Sequence, residues 1–362
     1  MGSVPQLDDG EIWPLHQLGA RILCPGGGRA RLNVRQPFLA RPVRAAKSPR
    51  RATAAIFGMA AAIPSFPMRA KSISAARRLR RQIAQVFLRN AAVDRPVFII
   101  GCGRSGTTIM GEMLSKHPAL AYLFEPRDIW SYEPRTDIWS ERAEQLGGRL
   151  QLGADDMRPE TTAKIANAFG AELWLQRGTV LVEKLPINSF RIAYIRAMFP
   201  DARFIYLLRH GLEVARSIAK LAPRGLWFGH NDYKWRLLSD LAQKSGDARL
   251  VELCTSDELR GLLEWRLSFL AARAALQRLP RGRWIEIRYE DLVAEPLAVC
   301  RQLEAFLGLP PSDAMRRFAS VELGRRSHAA SVGDLSPEAR EIAGDLLAEL
   351  GYLDLPHLAP HA

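Results

Sequence analysis

Several things are scarce in this 362-residue sequence, and each scarcity removes a class of function. The four cysteines, Cys24, Cys102, Cys254 and Cys300, form no C-x-x-C pair, and no Cys/His cluster has metal-ligand spacing. No structural metal is implied, and a reducing, cytoplasmic setting is the simpler reading. Long apolar runs are missing too. The run Ala52–Phe66 is short and interrupted by Pro64, so it predicts no membrane span. It also begins far from Met1 for a signal peptide. There is no internal repeat. Net charge is absent from most of the chain: residues 96–362 hold 34 Lys/Arg against 34 Asp/Glu. The whole excess of +13 lies in residues 1–95, which hold 17 basic and 4 acidic residues. The body of the protein therefore carries no net bias toward nucleic acid, although local basic sites remain open.

Residues 1–95 read differently from the rest. CPGGGRARLNVRQP, RPVRAAKSPRR and AARRLRRQ are rich in Arg, Gly and Pro, and no apolar period runs through residues 1–50. The segment is expected to be a basic, largely disordered extension ending in a basic helix near Ala75–Asn90. A start at Met59 or Met68 is an open alternative.

From residue 96 the pattern is α/β. Apolar runs at Val97–Ile100, Ala121–Phe124, Val180–Val182, Arg203–Leu208 and Trp284–Tyr289 predict buried strands. Helical periodicity follows at Thr107–Lys116, Asn188–Met198, Leu212–Leu221 and Leu292–Leu307. Strands alternating with helices predict a parallel sheet flanked by helices, with ligands at the carboxyl ends of its strands. Two insertions break the alternation. Glu125–Thr179 carries Trp130, Trp139 and Trp174; Pro223–Leu279 is helical and carries Trp227, Trp235 and Trp265. Such tryptophans either line an acceptor site or pack the added helices. Ser336-Pro337-Glu338 opens a last helix, and Gly351 follows it.

The sharpest absence lies in PVFIIGCGRSGTT, residues 96–108. Gly101 and Gly106 have the G-x-x-x-x-G spacing of a phosphate-binding loop, but Thr107 stands where the Walker lysine belongs. The strand RFIYLLRHG ends in Arg209, where a nucleotide hydrolase would place an acidic residue for its metal. Gly101, Gly103 and Gly106 let backbone N–H groups approach an anion, and Ser105, Thr107 and Thr108 add hydroxyl donors. Arg104 supplies the counter-charge from inside the loop. These residues predict phosphate binding without a metal.

With FIYLLRHGLEVARSI (204–218), this loop resembles the sulfotransferases that use 3′-phosphoadenosine 5′-phosphosulfate (PAPS). EKLP (183–186), IRYEDLVAEP (287–296) and FLGL (306–309) extend the resemblance over roughly residues 96–355. The Arg-Ser-Gly-Thr-Thr loop is similar to that of tyrosylprotein sulfotransferases and many bacterial enzymes. The resemblance implies that residues 103–108 hold the 5′-phosphosulfate. It implies that Arg209 and Ser217, eight residues apart, hold the 3′-phosphate. Lys184 then neutralises the leaving group and Glu125 acts as base, with Arg104 on the 5′-phosphate and bridging oxygen. Phe-Glu-Pro-Arg replaces Glu-Glu-Thr-Arg around Glu125, which speaks against assuming a tyrosine substrate. His210-Gly211 replaces Asp-Pro after Arg209. The acceptor, whether small molecule, glycan, lipid or peptide tyrosine, is not legible.

Bland readings stand beside these. Glu125 pairs with Arg127; Lys184 is a solvated charge; Arg209 is a surface charge at a strand end. His117, His210 and His230 are rival bases, with His117 better placed to cap a helix end. Asp291 is expected to cap the following helix. GRRSH (324–328) is either a basic lid or a solvated loop, and Cys102 has no assigned role. The rival functions are a P-loop nucleoside or small-molecule kinase, which needs Mg²⁺ and ATP, and a nucleic-acid binder using the basic N-terminus.

Overall fold

Five short apolar segments pair into a single parallel sheet. The computed structural model describes residues 70–88, 93–225, 227–323 and 335–353. Its strands are β1 (Val97–Ile100), β2 (Leu120–Phe124), β3 (Val180–Lys184), β4 (Arg203–Leu208) and β5 (Trp284–Arg288), in the order β2-β3-β1-β4-β5. Val97 at the centre pairs with Val182 on one side and Arg203 on the other. The chain leaves β1 for the edge, returns through β3, and then crosses to β4. All five strands run the same way, so their carboxyl ends share one rim of the sheet.

Both faces of the sheet are covered, which explains why the strands read as apolar runs rather than alternating ones. Val97 and Ile99 pack with the helices Thr107–Leu114 and Pro296–Leu307. Phe98 and Ile100 face the opposite layer, built by the helices Pro159–Leu175, Ile192–Met198, Gly211–Ala219, Asp257–Leu276 and Pro337–Glu349. This is the P-loop-type sheet flanked by helices that the alternation predicts. Most strand bounds agree within two residues. The helix expected at Asn188–Met198 divides into a 3-10 turn, Pro186–Phe190, and a helix from Ile192. The one expected at Leu292–Leu307 divides at Glu295-Pro296, where proline starts a new helix. The last helix is Pro337–Glu349, with Ser336 accepting the Ala339 N–H.

The chain divides into two units, and of the first, residues 17–83, only 70–83 are described. The described part of the first belongs to the helix Ala70–Phe87, which takes the place of the basic helix expected at Ala75–Asn90. The disorder expected before it falls on residues outside the described ones, as does GRRSH (324–328). No helix among the described residues is long and apolar enough to cross a membrane.

A buried carboxyl sits beside the rim of the sheet. Glu183 on β3 is fully buried and accepts from Trp130 Nε1 at 2.8 Å and Asn188 Nδ2 at 3.2 Å. Burial pushes its pKa up to about 8. The folded protein thus binds this proton more tightly than the unfolded chain. Its contribution to stability is complete below the ordinary glutamate range and is lost as pH rises through about 8. Glu183→Gln imitates the protonated form. Its melting temperature relative to wild type should rise steadily from pH 5 to pH 8 in thermal melts, and a constant difference would contradict this account.

Candidate active site

Every strand delivers one candidate group to the shared rim. The glycine loop leaves β1; Glu125 follows Phe124 at the end of β2; Lys184 is the last residue of β3. Arg209 follows Leu208 at the end of β4, and Tyr289 follows Arg288 at the end of β5. Neighbouring parallel strands lie about 4.8 Å apart, so groups at matching ends must meet.

The loop explains its own glycines. Gly106 has φ +95°, and a Cβ there would lie 2.3 Å from the Tyr289 ring. At Gly103 a Cβ would lie 2.6 Å from the Trp227 ring. The helix Thr107–Leu114 opens directly from Gly106 without a side-chain cap, leaving its first N–H groups for a ligand. Ser189, which the sequence reading missed, anchors the loop: its Oγ accepts the Gly101 N–H at 2.9 Å and donates to the Pro186 carbonyl at 2.9 Å.

Lys184 ends β3, between the ends of β2 and β1. Its side chain is fully buried, not solvated, and its Nζ donates to Glu125 Oε1 at 2.7 Å and to Thr108 Oγ1 at 3.2 Å. Burial lowers its pKa, opposed by the Glu125 carboxylate. The ammonium also lies 3.9 Å from the centre of the Phe124 ring. Glu125 does pair with Arg127, at 3.1 Å, and the Arg127 guanidinium lies 4.0 Å from the centre of the Trp139 ring. The carboxylate is therefore held between two cations. Glu125 and Arg104 both have positive φ, +39° and +75°. For side chains that carry a Cβ this costs about 1–3 kcal/mol each, and such strain concentrates at functional sites.

A second cationic cluster forms where β1 and β4 end. Arg104 Nε donates to Ser217 Oγ at 3.0 Å, and Arg209 Nη1 donates to the Arg104 carbonyl at 3.1 Å. Arg209 stacks on Tyr289, 4.3 Å from the ring centre, and pairs with Glu213 at 3.5 Å. Burial, and then the neighbouring Arg209 charge, lower the Arg104 pKa. Two guanidinium groups this close repel each other unless an anion joins them. The structure thus brings Arg104, Arg209 and Ser217 together, at a distance in sequence of more than a hundred residues.

Beside the loop lies a cavity of about 330 Å³, with Gly103, Thr107, Glu125, Arg127, Trp139 and Trp227 among its lining residues. The tryptophans divide in role. Trp130 and Trp265 are core residues, held by Glu183 and by the Arg209 carbonyl; Trp139 and Trp227 line the cavity. The helical insertion also contributes Lys234, Glu264 and Ser268 to the lining. Nothing in the sequence marked these three, because their meeting depends on how the inserted helices fold back.

The rival residues have structural roles. His117 is buried; its Nδ1 accepts the Ala119 N–H and its Nε2 donates to the Pro310 carbonyl, fixing the turn after the first helix. His210 Nδ1 accepts the Leu212 N–H as an N-cap, and burial lowers its pKa to about 4. Its exchange for the more usual aspartate thus preserves a helix cap. His230 begins a short 3-10 turn and is not among the cavity's lining residues. Asp291 does not cap a helix, contrary to expectation. It lies inside the first turn of Tyr289–Ala294, whose N-cap is Arg288, because that helix starts directly at the end of β5. Cys102 lines the cavity, and burial raises its thiol pKa. Among the described residues, no three His, Cys, Asp or Glu side chains gather as a metal site.

Comparison with known proteins adds an independent line. The chain is 27% identical over 248 residues to protein-tyrosine sulfotransferase 1 of Danio rerio, covering 67% of this chain and 61% of that protein. It is 26% identical over 243 residues to an uncharacterized protein of Aquifex aeolicus, covering 62% of this chain and 27% of that protein. The chain thus spans less than two thirds of these relatives' own length. A sulfotransferase domain from the curacin biosynthetic pathway is similar in structure, with a TM-score of 0.43 and 18% identity, over 73% of this chain and all of that one. Residues 96–313, more than half of the chain, match the Sulfotransferase family, and the protein belongs to that family of enzymes.

Proposed function

We propose that this sulfotransferase uses PAPS as donor and transfers its sulfuryl group to an acceptor hydroxyl or amine, with residues 96–355 forming the catalytic domain. The observation that carries this reading is the place of Lys184, whose one ammonium bridges Thr108 of the loop at 3.2 Å and Glu125 at 2.7 Å. A single cation thereby spans the donor side and the acceptor side of the reaction. Membership of the family sets aside the kinase reading.

The residues fit a ligand phosphorylated at two places. The glycine cradle accepts no side chain at Gly103 or Gly106, and the Arg104–Arg209 pair calls for an anion. Gly103, Arg104, Ser105, Gly106, Thr107 and Thr108 would hold the 5′-phosphosulfate. Arg209 and Ser217 would hold the 3′-phosphate, so the donor is told from ATP-like ligands. The contact of Arg104 with Ser217 makes Arg104 a link between the two sites. PAPS, when bound, supplies the sulfuryl group and its leaving phosphate.

The chain's own groups then divide the work. Lys184 stabilises charge on the leaving oxygen. Glu125 accepts the proton as the acceptor oxygen bonds to sulfur. Arg127 holds the other carboxylate oxygen and so fixes its direction. The loop amides and hydroxyls align the donor for in-line transfer. No step calls for a metal. Cys102, Cys254 and Cys300 are free and buried, which suits a reducing compartment, and we place the enzyme in the cytoplasm.

Radiolabelled sulfate transfer from PAPS to an acceptor panel that includes lysate fractions tests the reading. Transfer without added metal is expected; phosphorylation from ATP would overturn it. Calorimetry with 3′-phosphoadenosine 5′-phosphate (PAP) tests the donor site separately. Arg209→Ala removes a charge-assisted contact of about 1.5–3 kcal/mol, so PAP affinity should fall roughly ten- to a hundredfold. Binding that survives the change would rule out the assignment of Arg209.

Glu125→Gln should lower kcat by ~10²–10⁴-fold while PAP affinity changes little. Lys184→Met should lower kcat and also disturb the Glu125 carboxylate. The double variant is then expected to lose less than the product of the two single losses. Fully multiplicative losses would show that the two groups act independently.

A further inference from the structure

The cavity wall built by the helical insertion carries charges that the transfer chemistry does not use. Lys234 and Glu264 are paired at 2.6 Å with side chains only 4% and 5% exposed. Their surroundings are largely apolar: Leu185, Ile187, Phe190 and Leu221 line the same cavity. Burying an ion pair costs several kcal/mol per ion before the attraction is counted, so its place on a small apolar cavity calls for a reason.

Part of the reason is Trp227. Glu264 Oε2 accepts from its indole Nε1 at 2.9 Å, and Lys234 Nζ donates to its carbonyl at 3.4 Å. The pair thus holds Trp227 against Gly103 of the loop, where the ring fills the space a Cβ would need. These contacts use both Glu264 oxygens, and the Lys234 ammonium also lies 4.6 Å from the centre of the Trp227 ring.

Ser268 completes the arrangement. It lies four residues after Glu264 on the helix Asp257–Leu276, hence on the same face. It is only 2% exposed as a residue and lines the cavity, so its hydroxyl borders space that a ligand can enter. A hydroxyl on a largely apolar wall favours a ligand that brings a polar atom to meet it. The wall therefore presents a hydroxyl, which can donate or accept, beside an ammonium whose charge is already balanced by Glu264.

We propose that Ser268 and Lys234 form a subsite that reads a second, uncharged oxygen on the acceptor, apart from the hydroxyl that receives the sulfate. This rests on the sulfotransferase reading of the cavity above. The acceptor class is a small, mainly apolar hydroxyl compound bearing a carbonyl, ether or further hydroxyl oxygen. A carboxylate fits less well, because Glu264 already neutralises Lys234. A cavity of about 330 Å³ is of the size that takes small molecules.

The test uses phenols matched in shape, with an acetyl or an ethyl group at the meta or para position, and 4-hydroxybenzoate as the charged member. PAP affinity is measured on the same samples. Wild type should prefer one acetyl compound over its ethyl match by roughly ten- to a hundredfold in kcat/KM. In Ser268→Ala that ratio should fall toward one. The inference is overturned if wild type shows no such preference, if the ratio survives in Ser268→Ala, or if 4-hydroxybenzoate is the best substrate. It is also overturned if PAP binds normally but no phenol is sulfated. Absence of PAP binding would instead strike at the donor reading on which it rests.

Discussion

The site is organised around one buried ammonium. Lys184 ends β3 with its side chain wholly removed from solvent. A lysine there keeps its charge only if a carboxylate answers it, since burial alone lowers its pKa. Glu125 is that carboxylate, and reaching it fixes much else. The register Phe124↔Lys184 brings the ends of β2 and β3 level. Glu125 then turns into a left-handed conformation immediately after β2, with its own N–H bonded to the Lys184 carbonyl at 2.8 Å. The strain of that residue is thus balanced by an ion pair and a backbone hydrogen bond at one spot.

The arginine cluster works by the opposite logic. Lys184 has its counter-ion built in at 2.7 Å, whereas Arg104 and Arg209 are brought together with Glu213 at the longer distance of 3.5 Å from Arg209. Tyr289 supports the arrangement twice: its ring closes on Gly106 and underlies the Arg209 guanidinium. A ring at that point keeps the glycine loop and the second cation in fixed relation. The spacing of the glycine loop and the Arg209 guanidinium is then set by the fold and not by flexible side chains. This gives a physical content to the Tyr-Glu-Asp-Leu stretch, whose tyrosine packs on Gly106 and Arg209.

Much of this was legible in the sequence because it is local. Apolar runs marked the strands, and glycine spacing marked the loop. The eight-residue interval from Arg209 to Ser217 anticipated two groups on adjoining strand and helix. What was not legible depended on long-range folding. The pairing of Lys184 with both Thr108 and Glu125 spans 76 and 59 residues. The Trp227–Lys234–Glu264 assembly depends on inserted helices packing back toward the loop, and no short motif encodes that. Asp291 was misjudged for a simpler reason: aspartate near a helix start reads as a cap, but here the helix begins at Tyr289, directly from the strand.

The chain beyond the family match also bears on the site. Glu290 Oε1 accepts the His210 N–H at 3.0 Å, while its Oε2 accepts the Tyr352 hydroxyl at 3.1 Å. The Tyr352 and His210 rings lie 4.8 Å apart, and Arg288 Nη2 donates to the Leu350 carbonyl at 2.9 Å. Residues 350–352 therefore brace the turn that presents Arg209, although they lie well past residue 313. The helix Pro337–Glu349 buries Ile342, Leu346 and Leu347 in the same layer as the helix Gly211–Ala219. A fragment ending where the family match ends would leave Glu290 without one partner and that layer uncovered. The turn that presents Arg209 would then lose part of its bracing.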